Sequence, residues 1–367
     1  MRRAEKEYLK IIDWLDSLNE NKIVPGLDRM NKLMNLLGNP QNNLNLIIVG
    51  GTNAKGSTCF NIEDNFSKNG IDVGCFTSPH IHCVRERIRI GKEKINIEDF
   101  TTTMQEIRKI MVVNKIEATY FEILTVLAYV YFSSKKLDYA VMEIGLGGEW
   151  DAVNIGNAKI AILTTLGLDH MNYLGDSLDS IASTKAKIVR EKSIAITGWP
   201  KEYQKYIPKC EEIHHGNSIQ EWTQLVMKAL KLDYFDGQIN IPGRYEEADS
   251  FLLDCAHNPQ AINYLLSKNK IYNKIIIGMM SDKDCKSILE LLPQESEILL
   301  CKLKTPRAAK TEYLAEICNE IGKNYMEFKS VKEAMDYAEN DQTLITGSFY
   351  TVAEARTYLN LEGYSEL

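Results

Sequence analysis

The chain has 367 residues, 44% of them apolar and 25% charged, which is the balance of a soluble globular protein large enough for two cores. Its 43 Lys and Arg against 50 Asp and Glu leave a net charge of −7, which argues against a general nucleic-acid binder, since that role needs a basic excess. No apolar core follows the basic residues of MRRAEKEYLK, and no apolar run approaches the ~20 residues that cross a bilayer, so neither a secretory signal nor a membrane anchor is expected. The 8 cysteines never form a C-x-x-C pair, which points to reduced, buried thiols and a cytoplasmic setting rather than disulfides or zinc.

In chain order, LNLIIVG (44–50) reads as a buried strand, followed by a long apolar stretch from Phe121 to Phe132 that suits a buried helix. YAVMEIG (139–145), KIAILTT (159–165) and SIAIT (193–197) continue the strand series. Short Val- and Ile-rich runs alternating with helical patterns predict an α/β domain with a mostly parallel sheet. A second series, FLLD (251–254), KIIIGM (274–279), EILLC (297–301) and TLITG (343–347), predicts a smaller doubly wound α/β domain. The turn Ile241-Pro242-Gly243-Arg244 separates the two series, giving expected domains of 1–243 and 244–367.

Directly after the first strand stands Gly51-Thr52-Asn53-Ala54-Lys55-Gly56-Ser57, leading into a helix. A strand, a Gly-containing loop and a helix N-terminus aim backbone N–H groups at phosphate oxygens. Lys55 would neutralise phosphate charge and Ser57 would ligate magnesium. Gly56 occupies the position where the common phosphate-loop pattern has Ser or Thr, so a Gly-rich turn with a surface lysine is the competing reading. Glu143 ends an apolar strand, and His170 follows another strand end; carboxylate, hydroxyl and imidazole can all ligate divalent ions.

With its flanks, this loop resembles the folylpolyglutamate/dihydrofolate synthases of the Mur ligase superfamily. PGLDRMNKLMNLLGNPQ (25–41) precedes it, and FTSPHI (76–81), RERIRI (85–90), TYFEILT (119–125) and MEIGLGGEWDAVN (142–154) follow in family order. LGLDHMNYLG (166–175), IASTKAKIV (181–189), IPGRYE (241–246), LLDCAHNPQA (252–261) and ITGSFYTVAEAR (345–356) complete it. The resemblance implies a P-loop-containing central domain and a smaller Rossmann-like C-terminal domain. It also implies an ATP-dependent ligase that joins a pteroyl or folyl carboxylate to L-glutamate through an acyl phosphate, releasing ADP and phosphate. A divergent ligase acting on a non-folate acid, and a nucleotide-binding regulator without catalysis, are the alternatives. A monomer is the expected state, with small molecules as its partners.

By resemblance, Thr52, Asn53, Ala54, Lys55, Gly56, Ser57 and Thr58 bind nucleotide, together with Arg244, Asp254 and His257, the nucleotide lying between the domains. Ser57, Ser78, Glu143 and His170 would surround two magnesium ions, with a monovalent cation left open, and Glu143, His170 and Lys185 would act in catalysis. Lys185 matches a lysine that carbon dioxide carbamylates in the family, which requires a populated neutral amine. Phe121, Glu122, Asp151, Asn154 and Ser348 are implied to serve the substrates, with Ser348 and Tyr350 resembling family positions near the incoming amino acid and nucleotide. On the residues alone, a core Phe and a helix-start Glu would look the same at 121 and 122, and Asp254 to Asn258 also fits a helix N-cap. Arg85, Arg87 and Arg89 alternate with apolar residues and predict one strand face, solvated at Arg89.

Three departures stand out. Ala54 replaces a glycine in the phosphate loop, a substitution harmless only at negative φ. Cys255 replaces a glycine in the DCAHN stretch, adding bulk near the nucleotide. The span 195–240 is short and places Trp222 where the family has an asparagine, predicting an altered nucleotide pocket.

Overall fold

The structure is a computed structural model that describes residues 3–361 apart from 20, 21, 23, 269 and 340; residues 362–367 of the expected second domain lie outside these. The chain forms two compact units, one of residues up to 79 and 85–239, the other of 80–84 and residues from 240 on. Inclusion of His80–Val84 in the second unit is a feature that strand periodicity does not reveal. Among the described residues no helix is long and apolar enough to cross a membrane. All 8 cysteines are free thiols, and all but Cys210 are buried.

The first unit is built on eight strands: β1 (Asn45–Gly50), β2 (Gly74–Phe76), β3 (Ile88–Ile90), β4 (Glu93–Lys94), β5 (Tyr139–Glu143), β6 (Ala158–Leu163), β7 (Ile194–Thr197) and β8 (Glu212–His215). Their order is β4-β3-β2-β5-β1-β6-β7-β8, parallel except for the β2–β3 and β3–β4 pairs. Strand β1 is buried from Leu46 to Gly50, so an unbroken apolar run, without alternation, is what its position demands. The helix Tyr120–Ser134 is buried along most of its length and therefore lacks a polar face. Thr119 starts it: the Glu122 N–H donates to Thr119 Oγ1 at 3.3 Å, while the Thr119 N–H donates to Glu122 Oε2 at 2.7 Å, a reciprocal cap that satisfies two otherwise orphaned donors.

Register positions the chemistry. Val49 pairs with Glu143 and Gly50 with Leu163, while Phe76 pairs with Met142. The loops that follow β1, β2, β5 and β6 therefore leave the sheet at one level, at the carboxyl ends of the strands. The chain turns to opposite sides of β1 there, with β2 and β5 on one side and β6 to β8 on the other, so this edge forms the crevice where parallel sheets bind ligands.

The second unit carries β9 (Glu246–Ala248), β10 (Phe251–Leu253), β11 (Lys274–Ile277), β12 (Glu297–Cys301), β13 (Tyr325–Phe328) and β14 (Thr343–Thr346) in the order β13-β12-β11-β14-β10-β9. All neighbours are parallel except β9 and β10. Apolar side chains cover both faces, with Ile275, Ile298 and Leu344 in one layer and Leu253, Ile276 and Leu299 in the other. Pairing of β10 with β14 places Asp254 to His257 beside Gly347 to Phe349, since the Asp254 N–H donates to the Ile345 carbonyl at 3.0 Å and the Gly347 N–H to that of Ala256 at 3.0 Å.

Two sequence expectations fail in this part of the fold. Val84–Arg87 is a 3-10 turn, so only Arg89 of the three arginines lies on a strand. None of them is solvated: Arg85, Arg87 and Arg89 are all buried. Trp222 is a core residue of the first unit, its indole N–H donating to the Gly216 carbonyl at 2.7 Å, beneath Gly198.

Candidate functional site

The phosphate loop is tied down before anything binds it. The Thr52 N–H donates to the Thr165 carbonyl at 2.8 Å, and the Thr52 hydroxyl exchanges hydrogen bonds with Gly167 at 3.0 Å. The Asn53 N–H reaches Thr165 Oγ1 at 2.9 Å and the Thr164 hydroxyl reaches the Asn53 carbonyl at 2.8 Å. Gly51 has φ +136°, and a Cβ there would stand 1.9 Å from Thr164 Oγ1, so only glycine permits this approach. Lys55 folds back so that Nζ donates to the carbonyls of Gly51 and Thr52 at 3.2 and 3.1 Å, and the Thr58 hydroxyl donates to the Ala54 carbonyl at 2.8 Å. The helix Lys55–Lys68 begins here without a side-chain cap, and a helix N-terminus of this kind attracts anions.

Ala54 sits at φ 66°, ψ 2°. This is the left-handed region, where a Cβ costs about 1–2 kcal/mol, so the added methyl is strained rather than harmless. Ala54→Gly is expected to stabilise the chain by about 0.5–1 kcal/mol after allowing for the greater freedom of glycine when unfolded. Urea unfolding of the two proteins measures this; a lower midpoint for the glycine form would contradict it.

Glu143 is buried and lies against the start of that helix: a Cβ on Gly56 would stand 3.4 Å from Oε2 and 3.6 Å from Oε1. The Ser78 N–H donates to Glu143 Oε2 at 2.8 Å. The carboxylate thus adjoins Gly56, next to Ser57, and holds the backbone of Ser78. Carboxylate and hydroxyl oxygens suit magnesium, a hard ion. No three His, Cys, Asp or Glu side chains gather as a metal cage among the described residues, so this donor set fits an ion whose other ligands are water and phosphate oxygens. His170 lies beyond the end of β6. It is exposed, with φ 52°, at the start of the short helix Met171–Leu174, and its N–H donates to Asp169 Oδ1 at 2.9 Å. The left-handed backbone at His170 is what starts this short helix directly after Asp169.

Lys185 is buried at the end of the helix Leu178–Lys185, and its Nζ donates to the Gly51 carbonyl at 2.8 Å. Burial and then the nearby Lys55 ammonium bring its pKa down to about 7, against the pull of Asp169 and Asp151. The glycines of the 145–148 loop admit it: a Cβ on Gly148 would meet the Thr184 carbonyl at 2.8 Å and the Lys185 backbone at 3.0 Å. Asp151 shapes the same loop, accepting from the N–H groups of Leu146 at 2.8 Å and Val153 at 3.0 Å. Burial pushes its carboxyl up to about 7 despite those bonds.

The residues implied to hold substrate are partly structural. Phe121 lies over Gly145, where a Cβ would meet its ring at 2.6 Å, and 5.8 Å from the Phe76 ring. Glu122 closes the helix cap and also pairs with Arg29 at 2.9 Å, so both carboxylate oxygens already have donors. Arg29 goes unmarked by the motif reading, yet its guanidinium also binds the Val24 carbonyl at 2.6 Å and so ties the 24–29 segment to this helix. Asn154 accepts from Arg190 at 2.8 Å and donates to the Glu149 and Lys187 carbonyls. Ser348 caps the helix Phe349–Tyr358, accepting from the Thr351 N–H at 3.1 Å, while Tyr350 is exposed.

In the second unit, Arg244 stacks 4.8 Å above the Phe349 ring, and the His257 ring lies 6.0 Å from it. His257 Nδ1 bonds the Cys255 carbonyl at 2.8 Å, fixing the imidazole. Asp254 accepts from the N–H groups of Tyr245 and Ala256, each at 2.8 Å; desolvation still holds its carboxyl above the usual range, opposed by Arg244. Asn258 is the N-cap of the helix Pro259–Leu266. Cys255 does not add bulk at a ligand surface: its side chain is buried in the apolar layer, and a Cβ on Gly243 (φ +64°) would stand 2.9 Å from Sγ.

Comparison with known proteins identifies both domains. Residues 82–241 match the Mur ligase middle domain, and residues 243–349 match the Mur ligase, glutamate ligase domain. The chain is similar to the dihydrofolate synthase/folylpolyglutamate synthase of Bacillus subtilis strain 168, with 36% identity covering 96% of this chain and 99% of the other. That of Escherichia coli strain K12 is 30% identical, with 93% of each chain covered. Among solved structures, Escherichia coli FolC in complex with DHPP and ADP superposes with a TM-score of 0.86 at 26% identity, covering 98% of this chain and 99% of that one. The Yersinia pestis folylpolyglutamate synthase/dihydrofolate synthase complexed with AMPPNP and Mn ion gives 0.86 at 26% identity over 98% and 100%. With both domains matched and such identity along nearly the whole length, the chain belongs to the folylpolyglutamate synthase/dihydrofolate synthase family of Mur ligases.

Proposed function

We propose that this chain is an ATP-dependent ligase that joins a pteroyl or folyl carboxylate to the amine of L-glutamate. The observation that carries the reading is the convergence of the Lys55 loop, Glu143 and Lys185 on one stretch of backbone, Gly51 to Gly56. In the reaction the acid's carboxylate oxygen attacks the γ-phosphorus of ATP and ADP leaves. The glutamate amine then attacks the acyl carbon, the C–O bond to phosphate breaks, and phosphate departs with the amine's proton lost to solvent. Charge accumulates on phosphoryl oxygens throughout, so positioning and electrostatic stabilisation dominate the barrier.

The loop N–H groups and Lys55 hold the phosphates, with Thr52, Asn53, Ala54, Gly56, Ser57 and Thr58 forming the cradle. Glu143, Ser57, Ser78 and His170 would hold magnesium, which when bound neutralises phosphate charge. Lys185 at a pKa of about 7 has neutral amine available at physiological pH. Its attack on carbon dioxide, with loss of one proton, gives a carbamate anion beside the loop. Phe121 and Asp151 are assigned to the acid's ring system, and Arg244, Asp254 and His257 to the nucleotide. Glu122, Asn154 and Ser348 support these groups rather than touching substrate, since their polar atoms bind the protein.

Purified protein with ATP, magnesium, bicarbonate and dihydropteroate is expected to release ADP and phosphate only when glutamate is added, with one amide formed per ADP. Absence of glutamate-dependent release with both dihydropteroate and folylglutamate would refute the folate reading, and turnover on another acid alone would replace it.

A further inference from the structure

Arg89 reads in the sequence as a solvated strand residue, and it is instead a buried junction. Its guanidinium makes four hydrogen bonds and a close ion pair. Nε and Nη2 reach Glu63 Oε2 at 3.0 and 2.9 Å, Nη2 also reaches Cys75 Sγ at 3.0 Å, and Nη1 reaches Thr77 Oγ1 at 2.9 Å and the Glu86 carbonyl at 2.7 Å. The guanidinium carbon lies 3.9 Å above the Phe60 ring. Glu63 and Phe60 belong to the helix that begins at Lys55, whereas Cys75 and Thr77 belong to β2 and the residue after it. Thr77 immediately precedes Ser78, whose N–H holds Glu143.

We propose that Arg89 is a positioning residue for the metal- and phosphate-binding groups, fixing the phosphate-loop helix against the strand end that presents Ser78 and Glu143. This rests on the function proposed above for that site. A buried ion pair is weak evidence of a stability role, because an apolar pair of similar volume is commonly as stable. What an apolar pair cannot supply is a planar fork that addresses a helix, a strand and a turn at once. A second piece of the same tie comes from Lys92, whose N–H donates to Glu63 Oε1 at 3.2 Å, so Glu63 itself has no freedom to follow another partner.

The test is the full chain carrying Arg89→Met with Glu63→Met, which removes both charges together. Its thermal midpoint is expected at or above the parent's, since no charge is left unpaired. Manganese affinity of the ADP complex, read by calorimetry without turnover, is expected to fall about tenfold, with a similar rise in the magnesium needed for half-maximal rate. The KM for the acid stays unchanged. Thr77→Val keeps the ion pair and should weaken manganese binding roughly threefold, which decides the matter if the double variant fails to fold. Parental manganese affinity in the folded double variant, or in Thr77→Val when the double variant does not fold, overturns the positioning role. A parent protein that binds neither ADP nor manganese would overturn the reading of the site itself and the proposal with it.

Discussion

Replacing Lys185 by methionine is expected to abolish glutamate-dependent ADP release, by about 10³-fold or more, while making the chain more stable. A loss of that size corresponds to a few kcal/mol of transition-state stabilisation, which is the scale of an anion supporting metal chemistry. The stability gain follows from linkage. In the folded chain Lys185 holds its proton only below about 7, but when unfolded it does so up to ~10.4. Between those values the unfolded state binds more protons, so parental stability rises with pH across this window. Methionine has no such dependence. Its advantage, on the order of 2–4 kcal/mol near pH 7, is therefore largest below that pH and fades as pH climbs toward 10. Denaturant unfolding at several pH values measures this. Bicarbonate separates the carbamate from a plain amine: the parental rate should fall when carbon dioxide is stripped from the buffer, and 13C-bicarbonate should give a carbamate resonance that Lys185→Met lacks. A parental rate in the methionine variant would remove Lys185 from the chemistry.

Glu143→Gln should lower kcat by about 10³-fold with the fold intact. The amide keeps the shape and one oxygen for the Ser78 N–H, so the buried site loses its charge without a cavity. The negative charge that would neutralise a divalent ion beside the Lys55 helix is what disappears. Manganese binding in the presence of ADP should weaken at least tenfold, whereas ADP binding without metal should hold or tighten slightly as repulsion from phosphate is removed. Unchanged metal dependence in this variant would show that Glu143 merely caps the Ser78 turn.

Much of this architecture was legible in order. The eight strands predicted from apolar runs are β1, β5, β6, β7, β10, β11, β12 and β14, the central strands buried on both faces, where no alternation dilutes the signal. The strands that periodicity missed are short or lie toward sheet edges: β2 and β3 have three residues each, β4 has two, and β8, β9 and β13 border their sheets. Lys55 and Glu143 stand out by their places at the carboxyl ends of β1 and β5, whereas Lys185 is marked only by the family resemblance. Residues whose role depends on what lies across from them were not legible. Glu122 offers the same letter whether it meets a ligand or Arg29; Arg89 alternates with apolar neighbours whether it faces water or Glu63. The sign of φ at Ala54 is likewise a property of the folded loop that no residue type announces.

The fit between Gly243 and Cys255 has a consequence for how this sequence can drift. A sulfur lodged where the opposite backbone carries no side chain makes the two positions a lock and its bolt. A larger residue at 243 is refused by the thiol, by Ile81 and Val352 and by the positive φ, and shrinking 255 leaves an unfilled hole. The dependence runs one way: position 255 can change size only within the space the glycine leaves, whereas 243 stays glycine even beside a smaller residue, held there by its positive φ and by Ile81 and Val352.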